Sequence, residues 1–233
     1  MSRRQAHDAS NLPTKLPSNS PIPVGWGLLA GTLLGAVGAS FAPWVSRPPA
    51  ALVLTAPDLA EFVKFLPEVR DGSLVVYRLL FLLPLFVYTA GLPMIIYARR
   101  LAYPGWIRWP VLVLVIPLSL TLLPPVWSPG VLLSAEFRAQ TVAFVFCLSL
   151  LVATRWLGRV PLRPLTTLVA FCSVIAPALA FWQFFVVRGA VARAYASPVN
   201  PGWGAWALLV GLALILFGAL CVARDRLAEP APD

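Results

Sequence analysis

Six long apolar runs constrain the fold of this 233-residue chain more than any other feature of its sequence. Each run is about 20 residues long, the length that an α-helix needs to cross the hydrocarbon core of a bilayer. Hydrophobic residues make up 59% of the chain and charged residues only 12%, which leaves too little polar surface to solubilise a globular domain. We therefore expect one all-α domain, residues 24–223, that forms a polytopic transmembrane helix bundle. Its spans, about six, are predicted at residues 24–44, 74–98, 107–127, 137–156, 165–187 and 203–223.

The polar ends of the chain and its basic residues predict an orientation. Residues 1–23 are rich in Ser, Asn and Pro and lack apolar periodicity, which is typical of a disordered tail. With six spans, eleven Lys and Arg residues fall on the side of the N-terminus and six on the other. Cytoplasmic loops are the ones enriched in these residues, so we expect a plasma-membrane protein with cytoplasmic tails at residues 1–23 and 224–233. If the proline-rich third run were re-entrant, five spans would remain and the counts would become nine and eight.

Small residues recur at helical spacing in the first and sixth runs. They stand at every fourth position in the first run and at every seventh in the sixth, so each set lies on one helix face. The two sets are Gly27, Gly31, Gly35 and Ala39, and Gly204, Gly211 and Gly218. Small faces let helix backbones approach closely in a membrane. We expect both stripes to pack against other helices, either within this chain or in a homo-oligomer or a membrane-protein partner.

The loop at residues 45–73 carries a helix-start pattern. Thr55 precedes Pro57 and Asp58, which predicts an N-cap, a proline in the first turn and a reciprocal capping pair. Apolar residues then recur at helical spacing to Leu66. We expect a short amphipathic helix over residues 56–66 that lies along the membrane surface in the first external loop.

Ionisable and polar residues near the predicted spans supply the candidate sites. Arg78 lies about one turn inside the second span, from where its side chain could snorkel to the outer interface or contact a substrate or lipid phosphate. Gln183 in the fifth span is expected to bridge helices or to line a pore. Asp58 and Glu61 stand three residues apart on the predicted surface helix. Such a carboxylate pair could bind a cation or serve acid–base chemistry, or it could be a solvated helix face.

Other residue types argue against several classes of protein. Cys147, Cys172 and Cys221 all fall in apolar runs, and His7 is the only histidine, so we expect no metal site, cofactor or catalytic centre. The formal charge of +9 comes from short basic clusters between apolar runs, which indicates membrane topology and no nucleic-acid partner. Walker-type, G-x-S-x-G and H-E-x-x-H motifs are missing from the sequence.

Three functional hypotheses follow from these observations. The first is a non-enzymatic accessory or structural subunit of a membrane complex, whose partners are the lipid bilayer and either another membrane protein or further copies of the chain. The second is a permease component that relies on separate energising subunits, because the short cytoplasmic loops leave no room for an ATPase domain. The third is a membrane-embedded enzyme that modifies lipids.

Overall fold

A computed structural model describes residues 22–47 and 52–224 of the chain. The two predicted tails, residues 1–23 and 224–233, fall almost entirely outside these ranges. Ten α-helices occur in the described residues, at Ile22–Ser40 (α1), Ala56–Phe62 (α2), Pro67–Arg70 (α3), Leu79–Tyr97 (α4), Gly105–Leu120 (α5), Pro129–Leu132 (α6), Arg138–Val152 (α7), Thr154–Leu157 (α8), Leu162–Ala194 (α9) and Trp203–Arg224 (α10). Short 3₁₀ turns occupy Val63–Phe65 and Arg99–Leu101.

The described part of the chain is an all-α bundle of apolar helices, as the sequence predicts. Three helices, α4, α9 and α10, are long and apolar enough to cross a membrane. The other main helices, α1, α5 and α7, are apolar but shorter. A membrane-embedded helical protein is therefore the class that the fold supports.

One small β-hairpin departs from the predicted loop. Strands Val45–Arg47 (β1) and Leu52–Leu54 (β2) pair antiparallel, with Val45 opposite Leu54. Trp44 precedes the hairpin and is fully buried, stacked on Phe181 of α9 at a centroid distance of 5.3 Å. Its indole N–H donates to the carbonyl of Gly38, 3.1 Å away. This anchored tryptophan ties the hairpin to the bundle.

One end of the bundle, which we call the loop end, is formed by the described residues between α1 and α4. The first turn of α10 meets the chain just after α1, where the amide of Gly204 donates to the carbonyl of Pro43. The last turn of α9 reaches α3 through an ion pair between Arg193 and Glu68. At the opposite end, the hydroxyl of Tyr103, just before α5, donates to the carbonyl of Gly25 in α1. The six main helices thus alternate in direction along the chain.

Helix α4 occupies the centre of the bundle. It packs against α1 and α9 on one side and against α5 and α7 on the other, while α2 covers its start. Helices α1 and α10 form the most extensive helix pair, and α10 also contacts α9. The core therefore runs along α4, with α5 and α7 attached to one of its flanks.

Several helix boundaries differ from the predicted spans. The second predicted span begins at residue 74, whereas α4 begins only at Leu79, because the preceding residues form an irregular segment that follows α3. The third predicted span continues to residue 127, but α5 ends at Leu120 before Pro124 and Pro125. Helix α9 runs to Ala194, past the predicted end at residue 187. Its last turns carry Arg188, which donates to the carbonyl of Val199, and Arg193, which pairs with Glu68. Hydropathy alone does not detect helical turns that contain such arginines.

The predicted surface helix exists, but it packs differently. Thr55 accepts from the amide of Asp58, and the Asp58 side chain accepts from the amide of Thr55, so both bonds of the predicted capping pair form. The α-helix ends at Phe62 and continues as a 3₁₀ turn. Its apolar residues Leu59, Val63 and Leu66 are buried in the core of the bundle. The bundle, mainly α4, therefore covers this face, and the position of the helix along the membrane surface stays a prediction.

Candidate functional site

Four charged side chains form a cluster at the loop end, which we call the ion cluster: Glu61, Lys64, Arg78 and Glu136. Arg78 lies 3.2 Å from Glu61 and 3.1 Å from Glu136, and it donates to the backbone carbonyl of Glu136 at 2.7 Å. Lys64 lies 2.5 Å from Glu61 and 3.0 Å from Glu136. The cluster joins the α2 region, the start of α4 and the start of α7.

The sequence predicts that Arg78 lies about one turn inside the second span, but the residue lies just before the first turn of α4. It is the N-cap residue of α4, and its side chain is only 15% exposed. Both Arg78 and Lys64 lie over the ring of Phe137, at 4.9 and 5.2 Å from the ring centroid. The two carboxylates and the aromatic face hold the Arg78 guanidinium within the protein.

The charges of the ion cluster shift each other's protonation. Partial burial acts to lower the pKa of Lys64, but hydrogen bonds to Glu61 and Glu136 outweigh it and raise that pKa above 10.5. The hydrogen bond from Lys64 lowers the pKa of Glu136 below 4.5, with a further contribution from the charge of Arg78. Lys64 and Glu136 are therefore both charged at neutral pH.

A cavity of about 280 Å³, the loop-end cavity, opens beside the ion cluster. It lies between the first turns of α2, the start of α4, the end of α5 and the start of α7. Two carboxylates, one amide and one hydroxyl line it together with apolar side chains and a proline-containing segment. The lining residues are Pro57, Asp58, Glu61, Leu82, Thr121, Leu122, Leu123, Pro125 and Gln140.

Gln140 is the most enclosed polar residue of the loop-end cavity. It is 4% exposed, and its carboxamide makes no hydrogen bond to the described residues. A buried amide without a partner is costly, so such a group is normally satisfied by a water or a ligand. Asp58 remains in the capping pair, and the hydroxyl of Thr121 donates to the carbonyl of Leu118. Among the polar side chains of this cavity, the Gln140 carboxamide is the one without a hydrogen bond to the described residues, and Asp58 uses only its Oδ2 in the capping pair.

Two apolar grooves continue from the loop-end cavity along α4. The first groove, about 140 Å³, shares Leu82, Leu122 and Gln140 with the cavity and extends to Phe86 and Ala143. The second groove, about 190 Å³, begins at Phe86 and lies between α4, α7 and α9. Its lining is almost wholly apolar and includes Phe86, Val87, Ala90, Gly91, Met94, Phe146, Leu168, Val169 and Cys172. A polar cavity at one end is thus followed by apolar grooves on the flank of the bundle.

Gln183 and the two acidic candidates have different surroundings. Gln183 is buried in α9, where its carbonyl oxygen accepts from the amide of Tyr77 at 3.2 Å. It therefore connects α9 to the segment before α4 and does not line any of the three spaces described above. Asp58 and Glu61 do line one cavity, as their predicted shared helix face suggests, but Glu61 is also paired with Lys64 and Arg78.

The two small-residue stripes meet at one intramolecular interface. A Cβ placed on Gly31 would lie 2.6 Å from the carbonyl oxygen of Gly211, and one on Gly211 would lie 2.6 Å from that of Gly31. A Cβ on Gly218 would lie 2.7 Å from the Leu28 side chain of α1, and one on Gly204 would lie 2.7 Å from the carbonyl oxygen of Ala42. The other members lie in or beside this interface: a Cβ on Gly35 would clash with the ring of Tyr88 of α4, Ala39 is buried, and a Cβ on Gly27 would lie 3.8 Å from the carbonyl oxygen of Leu214.

Chemical reactivity has little support in the described residues. They contain no group of three or more His, Cys, Asp or Glu side chains that could hold a metal ion, and the three cysteines are free thiols. Sequence reasoning missed Glu136 and Gln140 as site residues. Glu136 stands alone in a loop far from its partners in sequence, and Gln140 resembles any other polar residue of a membrane helix, so neither carried a usable signal.

No protein-family model, curated protein or solved structure matches this chain. The geometry of the loop end and of the grooves along α4 is therefore the basis on which a function is proposed.

Proposed function

We propose that the chain crosses the plasma membrane six times and keeps both termini in the cytoplasm. The alternating directions of the six main helices and the distribution of Lys and Arg support this topology. Helices α5 and α7 have 16 and 15 residues, or about 24 and 23 Å at 1.5 Å per residue. A bilayer core of about 30 Å accommodates such helices by local thinning or through their flanking segments.

Thiol labelling of intact cells tests this orientation. In a background without the native cysteines, Val75→Cys at the loop end should react with a membrane-impermeant maleimide. Arg100→Cys at the opposite end should react only after the cells are permeabilised. The reverse pattern would overturn the orientation, and equal labelling of both sites in intact cells would overturn the topology.

We further propose that the protein is a non-enzymatic accessory protein of the membrane that binds an amphiphile along α4. One observation carries this proposal: a cavity with polar and charged walls leads directly into apolar grooves on the flank of the helix bundle. A lipid combines a polar head with apolar chains, so this sequence of environments matches its chemistry from end to end. Phe86 belongs to both grooves and would contact the chains.

The glycine stripes argue for the same assignment by a different route. Their close contacts are made between α1 and α10 of one chain, so these faces are already covered. The side of α4 that carries the grooves is less completely covered, because Phe146 on α7 and Leu168 on α9 line the second groove while remaining partly open to the surroundings. The flank of α4, α5 and α7 is accordingly where we expect a lipid or a partner subunit to bind.

Filling the first groove tests the proposed binding. Ala143 lines this groove, so Ala143→Phe should place an aromatic ring in the space of the lipid chains. Ala213 on α10 is exposed and lies outside all three spaces, which makes Ala213→Phe the matched control. After purification in mild detergent, native mass spectrometry should show retained lipid on the wild type and on Ala213→Phe. Ala143→Phe should retain at most a third as much, and equal retention by the two variants would refute the proposal.

A permease component is the second candidate, favoured by the prolines of α4 and α9, two of the three helices that border the second groove. Pro84 and Pro93 in α4 and Pro177 in α9 each remove a backbone donor from a helix interior, where they provide points of bending. Purification of the tagged protein from its native membrane separates the candidates. Stoichiometric recovery of an ATPase whose turnover depends on this chain would favour the permease, whereas a complex without any ATPase would favour the accessory role.

A further inference from the structure

We propose that the loop-end cavity binds the ammonium group of a membrane lipid. This inference rests on the proposed function, since it assigns a head-group chemistry to the same site. The charged residues that line the cavity are Asp58 and Glu61, and both are acidic. The cations of the ion cluster, Lys64 and Arg78, contact Glu61 but are not part of the cavity wall.

The backbone around the cavity also offers acceptors and few donors. Residues 121–125 follow the end of α5, where a helix carries partial negative charge. The amides of Thr121, Leu122 and Leu123 donate to the carbonyls of Pro117, Ser119 and Leu120 in the last turn of α5, so they are not free to donate to a ligand. Pro124 and Pro125 have no amide hydrogen. This wall can therefore accept hydrogen bonds from a ligand, but it has almost none to donate.

Gln140 supplies an independent observation at this cavity. The residue is 4% exposed and lines the cavity, and its carboxamide makes no hydrogen bond to the described residues, so it is open to a molecule in the cavity. The carbonyl oxygen of an amide accepts hydrogen bonds, as do the carboxylate of Asp58 and the carbonyls after α5. An ammonium group provides three donors and a positive charge, which fits this set of acceptors better than a phosphate or a hydroxyl head would.

The surroundings of the cavity favour a lipid over a soluble amine. Its volume of about 280 Å³ suits a small head group, and Leu82 and Leu122 lead from it into the first groove. A soluble amine would fill the cavity but leave the apolar grooves without a ligand. An aminolipid would bind both regions at once, and its chains would raise its effective concentration at the cavity.

Native mass spectrometry with defined lipids tests the inference. Dioleoyl phosphatidylethanolamine and dioleoyl phosphatidylglycerol have the same chains and the same phosphate. They differ in the group on the phosphate, which carries an ammonium in the first lipid and is a glycerol in the second. We expect the wild type to bind the first lipid at least tenfold more tightly than the second. Ethanolamine alone should not bind at the same concentrations, and binding of the soluble amine equal to that of the lipid would overturn the inference.

Asp58→Asn removes the charge from the cavity wall, while the asparagine oxygen can still accept the capping bonds. Asp71→Asn is the matched control, because Asp71 lies at the same end of the bundle but outside the cavity, where it accepts from the amide of Ser73. We expect Asp58→Asn to reduce the preference for the ethanolamine lipid to threefold or less, and Asp71→Asn to leave it unchanged.

Gln140→Met provides a second test, because it preserves volume and does not touch the cap. It should weaken binding of the ethanolamine lipid at least threefold. A preference that survives both Asp58→Asn and Gln140→Met would refute the head-group assignment. If the head-group assignment failed in this way but Ala143→Phe still reduced the binding of both lipids equally, the proposed lipid binding along α4 would stand. Failure of the head-group assignment can thus be distinguished from failure of the proposed lipid binding.

Discussion

Adding one methyl group to Gly211 tests whether the helix pair α1 and α10 is held together as the structure describes. The new Cβ of Gly211→Ala would lie 2.6 Å from the carbonyl oxygen of Gly31, 2.9 Å from the amide nitrogen of Gly35 and 3.2 Å from its Cα. All three are backbone atoms, so none can rotate out of the way. Relief requires the two helices to separate.

The size of the effect follows from two opposing contributions. Overpacking of this kind costs about 1–3 kcal/mol. Alanine regains up to about 1 kcal/mol through its better helix propensity. With the full propensity gain, the net loss in unfolding free energy should be about 0–2 kcal/mol, and the loss relative to a glycine-to-alanine change without overpacking about 1–3 kcal/mol. For a chain of this length, each kcal/mol lowers the melting temperature by about 2–4 °C.

Gly27→Ala is the matched control, because its Cβ would meet only the carbonyl of Leu214, at 3.8 Å. This distance is an ordinary van der Waals contact, so the propensity gain should dominate and stability should stay level or rise by up to about 1 kcal/mol. Thermal unfolding of the purified protein in detergent, followed by tryptophan fluorescence, measures both variants. Equal melting temperatures for Gly211→Ala and Gly27→Ala would refute the close contact of α1 and α10.

Three further predictions concern the loop end. Arg78→Met should lower the unfolding free energy by about 1–2 kcal/mol, because it leaves Glu61 and Glu136 with one cation, and Arg78→Lys should restore only part of the loss in the same thermal assay. Since the pKa of Glu136 is lowered in the fold, its stabilising contribution is present above pH 4.5 and is lost as the pH falls through the lowered value. Glu136→Gln should thus flatten the decline of the melting temperature below pH 4.5, and an unchanged pH profile would contradict this reasoning. Thr55→Ala should cost about 1 kcal/mol and speed amide exchange in α2, detectable by hydrogen-exchange mass spectrometry, with exchange in α10 as the internal reference.

Local patterns in the sequence predicted the helices well where one physical cause dominates. Long apolar runs mark the main helices because a helix in hydrocarbon must be apolar along most of its length. The capping pair of Thr55 and Asp58 was also predictable, because its two hydrogen bonds involve neighbouring residues only. Helix ends were predicted less accurately. Helix α9 continues through Arg188 and Arg193, whose side chains bind the carbonyl of Val199 and the carboxylate of Glu68.

Contacts between distant parts of the chain could not be predicted in the same way. The spacing of the glycines indicates two small helix faces, but nothing in either stripe shows that Gly31 meets Gly211. Arg78 is 58 residues from Glu136 in sequence, and hydropathy placed it inside a span because its neighbours Leu79 and Leu80 are apolar. The partners of a charged side chain depend on the tertiary fold, so a single sequence does not reveal them.

The packing of the bundle explains why grooves form on one flank of α4 and not on the other. On the side of α1 and α10, glycines bring backbones into direct contact and leave no space between these helices. On the other side, Phe86 lines both grooves, and its ring centroid lies 5.8 Å from that of Phe146, which lines the second. The ion cluster holds the starts of α4 and α7 together above these grooves without filling the space below it. The lipid proposed above would therefore reach the grooves from the flank of the bundle, between α4 and α7.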